Sequence, residues 1–207
     1  MSHLAHSEFG KLKSVFIKKA SAAFINEEHI QQHWESLNYL GKPDIKKALG
    51  EYDTFENILK EHGAEVLCFP EDAAVNMDSI YCRDAAIATS HGMIICNMGK
   101  EGRKNEPAAQ ARAYAAQGIP VLGSIVAPGT IEGGDVMMIH PKHFVIGCSI
   151  RTSSSAVNEM VHTLFSKPEL GIEKVSVVKI PKNRAQMHID TIFTQVKRNV
   201  WVLYGRF

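Results

Sequence analysis

The feature that most constrains this chain is a hairpin pattern that recurs three times. Arg83-Asp84 leads into the apolar run Ala85–Thr89, a His91-Gly92 turn and Met93–Cys96. Gly134-Asp135 leads into Val136–His140, a Pro141-Lys142 turn and His143–Cys148. Ile189-Asp190 leads into Thr191–Val196, a Lys197-Arg198-Asn199 turn and Val200–Tyr204. Each reads as a β-hairpin with an aspartate at the mouth of its first strand. The aspartates recur at roughly fifty-residue intervals, a period that marks a repeated supersecondary unit.

The segments after the first two hairpins repeat as well. Asn105 is placed to cap a helix running from Glu106-Pro107 to Gln117, with Gly118 ending it and Ile119–Leu122 reading as a strand. Thr152 or Ser153 can cap a helix through Phe165, broken by Pro168 and Gly171 before a strand at Val175–Ile180. The unit is therefore β-β-α-β. The N-terminal part supplies half a unit: strand Ser14–Lys18, helix Asp44–His62 closed by Gly63, and strand Glu65–Phe69. These readings predict one α/β domain over residues 1–207, a ring of such units in which the third is cut after its hairpin. They therefore predict a C-terminally incomplete fragment. An open ring leaves a sheet edge uncovered, which predicts self-association.

Composition narrows the function. Lys+Arg 23 against Asp+Glu 22 gives a net charge of +1, which provides no general drive towards nucleic acid or an anionic membrane. No apolar run approaches the roughly 20 residues of a spanning helix, and the first residues lack the basic start and apolar core of a signal peptide. The four cysteines, Cys68, Cys82, Cys96 and Cys148, have no CxxC spacing and predict free, mostly buried thiols in a reducing cytoplasm.

The chemistry concentrates at the strand mouths. His188-Ile189-Asp190 lies in the run Met187 to Val196, which predicts a strand with His188 and Asp190 on one face. If the units pack around an axis, Asp84, Asp135, His188 and Asp190 converge. The link Glu132-Gly133-Gly134-Asp135 lets the backbone turn or approach a ligand closely. Carboxylates with a histidine suit two chemistries. One is a metal hydrolase. The other is recognition of a planar guanidinium, clamped by aspartates while His188 moves protons and Glu132 orients it.

Tyr81-Cys82-Arg83-Asp84, Ile131-Glu132-Gly133-Gly134-Asp135, Gly147-Cys148-Ser149-Ile150-Arg151-Thr152 and His188-Ile189-Asp190-Thr191-Ile192-Phe193-Thr194 resemble the ordered motifs of the arginine deiminase/amidinotransferase superfamily. The resemblance runs from Glu8 onward and implies the pentein fold, an α/β propeller of ββαβ units around a pseudo-fivefold axis. It implies a cytoplasmic guanidino-group-modifying hydrolase of arginine metabolism, closest to the arginine deiminase branch, that needs no cofactor or metal and acts on arginine or a related guanidine. An amidinotransferase and an inactive guanidino-binding relative are the alternatives. By the resemblance, Asp84 and Asp190 grip the guanidinium, with Asp135 beside them. His188 shuttles protons, Glu132 orients it, and Arg103 and Arg151 meet the substrate carboxylate. The chain departs from the family pattern at Asp78, where an asparagine is usual. It also has no cysteine after His188 to serve as the family's nucleophile, so this chain alone is expected to be inactive.

Overall fold

A computed structural model of the chain describes residues 7–205. They divide into two compact units, one of residues 11–82 and one of residues 83–205 with residues 7–10.

In the unit of residues 11–82, β1 (Ser14–Ile17) pairs in parallel with β2 (Glu65–Cys68), from Ser14 opposite Glu65 to Ile17 opposite Cys68. A parallel pair requires a crossover, and here it carries α1 (Ala20–Phe24), α2 (Glu27–His33) and α3 (Ile45–Glu61). Asp44 caps α3 by accepting the Lys47 amide at 3.0 Å, and Asn26 caps α2 by accepting the His29 amide at 2.8 Å. Ala20, Ala23, Phe24, Ile30, Leu37 and Met77 form this unit's core. The sequence reading did not anticipate α1 and α2. At 5 and 7 residues they are too short to show a helical period, and tertiary packing rather than propensity holds them.

The unit of residues 83–205 contains the β-β-α-β pattern twice. β3 (Ala86–Ala88) and β4 (Met93–Ile95) form a hairpin, α4 (Glu106–Ala116) comes next, and β5 (Val121–Ser124) returns parallel to β4. β6 (Val136–His140) and β7 (His143–Cys148) form the next hairpin, then comes α5 (Ser154–Phe165), and β8 (Lys174–Lys179) returns parallel to β7. In both, the second hairpin strand lies in the middle. β9 (Phe193–Lys197) and β10 (Val200–Leu203) form the third hairpin.

Strand alternation explains the packing. Val136, Met138, Phe144 and Ile146 join Met160 and Leu164 of α5 on one face of the β6–β7 hairpin. Met137 and Val145 face the other way, onto Ile180, Ile189 and Ile192. The hairpin is thus buried on both faces, which is why it reads as a continuous apolar run.

One strand expectation fails in a way that matters for the site. Met187 to Val196 is not a strand throughout: His188 is extended (φ −133, ψ 161), residues Ile189–Thr191 make a 3-10 turn, and β9 starts only at Phe193. The Thr191 hydroxyl and amide both donate to the His188 carbonyl, at 2.6 and 3.2 Å. A threonine that can bond its own backbone competes with ladder formation. Gly133–Asp135 forms the corresponding 3-10 turn ahead of β6. Among the described residues, no helix is long and apolar enough to cross a membrane.

Candidate active site

The two 3-10 turns bring the polar groups together. His188 is buried, and its Nε2 lies 2.8 Å from Glu132 Oε2. A carboxylate only accepts, so Nε2 carries the hydrogen and Nδ1 is left for other work. Glu132 Oε1 accepts the amides of Gly99 and Lys100, both at 3.0 Å, which fixes the carboxylate. His188 Nδ1 lies 3.9 Å from Asp84 Oδ1. A Cβ on Gly134 would stand 2.7 Å from His188 Cγ and 3.1 Å from Asp190 Oδ2. Only glycine lets the imidazole and Asp190 approach that backbone, so the turn and not a shared strand face collects His188 and Asp190.

The other candidates have definite places. Asp190 faces Arg83 Nε at 3.6 Å. Arg83 also donates to the Val136 carbonyl at 3.1 Å and meets Glu8 at 3.3 Å, while Glu8 accepts the Met138 amide at 3.1 Å. Arg103 is buried, not solvated: its Nη1 lies 2.6 Å from Asp84 Oδ2, and Glu106 holds its Nε and Nη2 at 2.8 and 2.7 Å. Arg151 Nε is buried without a hydrogen bond, 4.0 Å from Glu132 Oε2.

Asp135 requires a correction. It was expected beside the substrate, but it is fully buried and both its oxygens are in use. Oδ1 accepts the Ile189 amide at 2.9 Å and Oδ2 accepts the Ser149 hydroxyl at 2.5 Å. Its carboxylate is directed into the scaffold beneath His188. The cysteines also differ from expectation, since only Cys96 is fully buried and Cys68 is exposed. Burial, reinforced by the Asp84 and Glu132 charges, pushes the Cys96 thiol well up. Cys148 Sγ lies 3.4 Å from the Ser154 hydroxyl, and Cys82 Sγ faces the Ser79 and Ile80 carbonyls at 3.7 and 3.5 Å.

The electrostatics suit proton transfer beside a cation. Burial alone would lower the His188 pKa, but the Glu132 hydrogen bond and the Asp84 and Asp135 charges outweigh it and raise the value. Burial would raise Glu132, and the His188 bond with the Arg151 and Arg103 charges brings it below its ordinary range. Burial raises Asp190 despite Arg83. Carboxylates outnumber guanidinium groups in this network, so a cationic ligand meets a favourable field.

Sequence reasoning missed Ser149, Glu106 and the Gly99 and Lys100 amides as parts of this network. Ser149 sits in the quoted Gly147–Thr152 motif, so a hydroxyl there was visible. Its partner across 14 residues was not.

The family model of arginine deiminase matches residues 73–207. The N(G),N(G)-dimethylarginine dimethylaminohydrolase of Pseudomonas aeruginosa is 30% identical over 170 residues, covering 82% of this chain and 63% of its own. An arginine deiminase of Bacillus cereus is 28% identical over 209 residues, covering 94% of this chain and 50% of its own. The chain thus spans about half to two thirds of the length of these relatives. Among solved structures, a P. aeruginosa DDAH mutant complexed with citrulline aligns with a TM-score of 0.75 at 26% identity, over 95% of this chain and 71% of that one. SxtG, an amidinotransferase from Microseira wollei, aligns with a TM-score of 0.66 at 16% identity over 93% of this chain and 66% of that one, which speaks to the fold alone. The chain belongs to the arginine deiminase family.

Proposed function

We propose that this chain carries the guanidinium-binding and proton-transfer parts of a hydrolase acting on arginine or a related guanidine. The observation that carries the reading is His188, oriented through Nε2 by Glu132 and presenting Nδ1 towards Asp84 in a carboxylate-rich, buried setting. Asp84 and Asp190 hold the substrate guanidinium and Arg151 faces its carboxylate end, whereas Arg103, expected there as well, is committed to Asp84 and Glu106 and holds the Asp84 carboxylate in place. A thiolate attacks the guanidinium carbon, and ammonia or an amine leaves with a proton from His188. Water, deprotonated by His188, then hydrolyses the amidino-thioester to a ureido product such as citrulline, freeing the thiol. Cys96 is sealed in the core and its thiol pKa is pushed well up, so it is not assigned the attacking role, and none of the other three cysteines lies in the His188 motif. Residues 1–207 alone are expected to bind but not to turn over. The repeated β-β-α-β units support an α/β propeller about a pseudo-fivefold axis. The free thiols suit a cytoplasmic setting, and the open, apolar edge of β10, with Val202 and Leu203 exposed, supports self-association.

Calorimetry with arginine and citrulline tests the reading. Asp84→Asn should weaken binding by roughly tenfold or more, the worth of one charge-assisted hydrogen bond. Equal affinities for the variant and the wild type would contradict the clamp, and robust turnover by these residues would contradict the assignment of the thiols. One observation favours a second reading: single ligand atoms of Asp84, Glu132 and His188 lie within 4.8 Å of one another, a spacing a metal ion accepts. Stoichiometric zinc or manganese in the purified protein would select that reading.

A further inference from the structure

The hydrogen bonds beneath His188 close on themselves. The Ile189 amide donates to Asp135 Oδ1 at 2.9 Å, and Asp135 Oδ2 accepts the Ser149 hydroxyl at 2.5 Å. Ser149 Oγ in turn accepts the amides of Arg151 and Thr152, at 3.0 and 3.2 Å. Thr152 Oγ1 accepts the Glu132 amide at 3.3 Å, and Glu132 returns to His188 Nε2 at 2.8 Å. The loop that carries Arg151 is therefore bonded to both turns that flank the imidazole. Asp135 and Ser149 are 0% and 3% exposed, so nothing in solvent replaces these bonds. The packing around them is tight: a Cβ on Gly147 would stand 2.5 Å from Asp135 Oδ1 and 3.1 Å from Ile189 Cβ.

We propose that Asp135 and Ser149 are positioning residues that set the height and tautomer of His188 and tie it to the Arg151 loop. The inference rests on His188 being the proton carrier. Asp135 fixes the backbone one residue beyond the imidazole while Glu132 fixes the ring, so the ring is held at two points. The Ser149 hydroxyl has a single hydrogen, committed to Asp135, and both amides of the 151–152 turn converge on its oxygen. Removing the hydroxyl takes one partner from Asp135, leaves two amides unpaired in a buried site and frees the turn to move. Asparagine at 135 is no substitute. Its amide would point a donor at an oxygen that already accepts two.

The test reads the His188 ring directly. In the chain with ¹⁵N-labelled histidine, on the alkaline side of the titration, long-range proton–nitrogen spectra report the tautomer. His188→Gln identifies the signal by its disappearance. The wild type should show one tautomer, with hydrogen on Nε2. Ser149→Ala should turn that signal into a mixture of tautomers, Asp135→Asn should do the same, and Ser149→Thr should restore the single species. A single unchanged tautomer in folded Ser149→Ala would overturn the proposal, and should Asp135→Asn not fold, the serine pair still decides it. The readout needs no guanidine. A wild type that binds no arginine yet loses its single tautomer on Ser149→Ala would sink the functional reading and leave the positioning roles standing.

Discussion

At the scale of the residue, the His188–Glu132 pair ties stability to pH. His188 is raised above its ordinary 6.5, so its contribution to stability is complete below 6.5 and disappears as pH rises through the folded value. Glu132 is lowered from 4.5, so its contribution is complete above 4.5 and disappears as pH falls through the folded value. Both are present between about pH 4.5 and 6.5. The stability gap between the wild type and His188→Gln, followed by urea denaturation, should therefore be widest in that window and narrow on either side. Glu132→Gln should cost about 3 kcal/mol near pH 6, because it takes from a buried imidazolium the one carboxylate hydrogen-bonded to it. Gly134→Ala belongs at this scale as well. Its methyl group would collide with the His188 ring, which cannot retreat without breaking the bond to Glu132. The variant should lose guanidine binding even if it folds, and wild-type affinity in calorimetry would show that the ring has room.

At the scale of the element, the ends of helices carry more than their own helix. Ser153 caps α5 by accepting the Ala156 amide at 3.3 Å, and the same hydroxyl accepts the Thr130 amide at 3.1 Å. It thus joins α5 to the segment leading into Glu132. Ser153→Ala should destabilise by about 1–2 kcal/mol, the upper part of the capping range, whereas Asp44→Ala, which removes only the cap on α3, should cost about 1 kcal/mol; thermal or urea unfolding of both variants measures the difference. A cap at Thr152 or Ser153 was legible in the sequence because capping is chemistry over three residues, and the structure places it at Ser153. The hairpins and the strands after α4 and α5 were legible for a similar reason, as runs bounded by turn residues. The 3-10 turns at 133–135 and 189–191 were not. Each has three residues, and whether an apolar run curls or extends was decided by local bonds such as Thr191 to the His188 carbonyl.

For the whole molecule, the order of motifs along residues 84–190 showed which side chains belong together, but not how they share partners. Asp84 illustrates the limit. A carboxylate read as a clamp for a guanidinium already faces one, that of Arg103, and Arg103 is charge-compensated by Glu106 three residues on. Asp135 illustrates it again, since only tertiary geometry shows an acid turned inward to a backbone amide. This arrangement makes a further prediction. If, as proposed, a ligand guanidinium is held by Asp84 Oδ1 and Asp190, it binds a native site assembled from segments more than a hundred residues apart. Such a ligand cannot bind the unfolded chain, and by linkage a concentration one hundred times the dissociation constant should add about 2.7 kcal/mol to stability. Hydrogen exchange should slow in residues 132–135, 149–152 and 188–191 together, because one hydrogen-bonded circuit joins them. In Ser149→Ala, protection should fall away at 149–152 first, since that turn loses its anchor. Protection confined to one segment in the wild type would mean that the circuit does not act as a unit. The ligand would then be reading a single loop, not the assembled site.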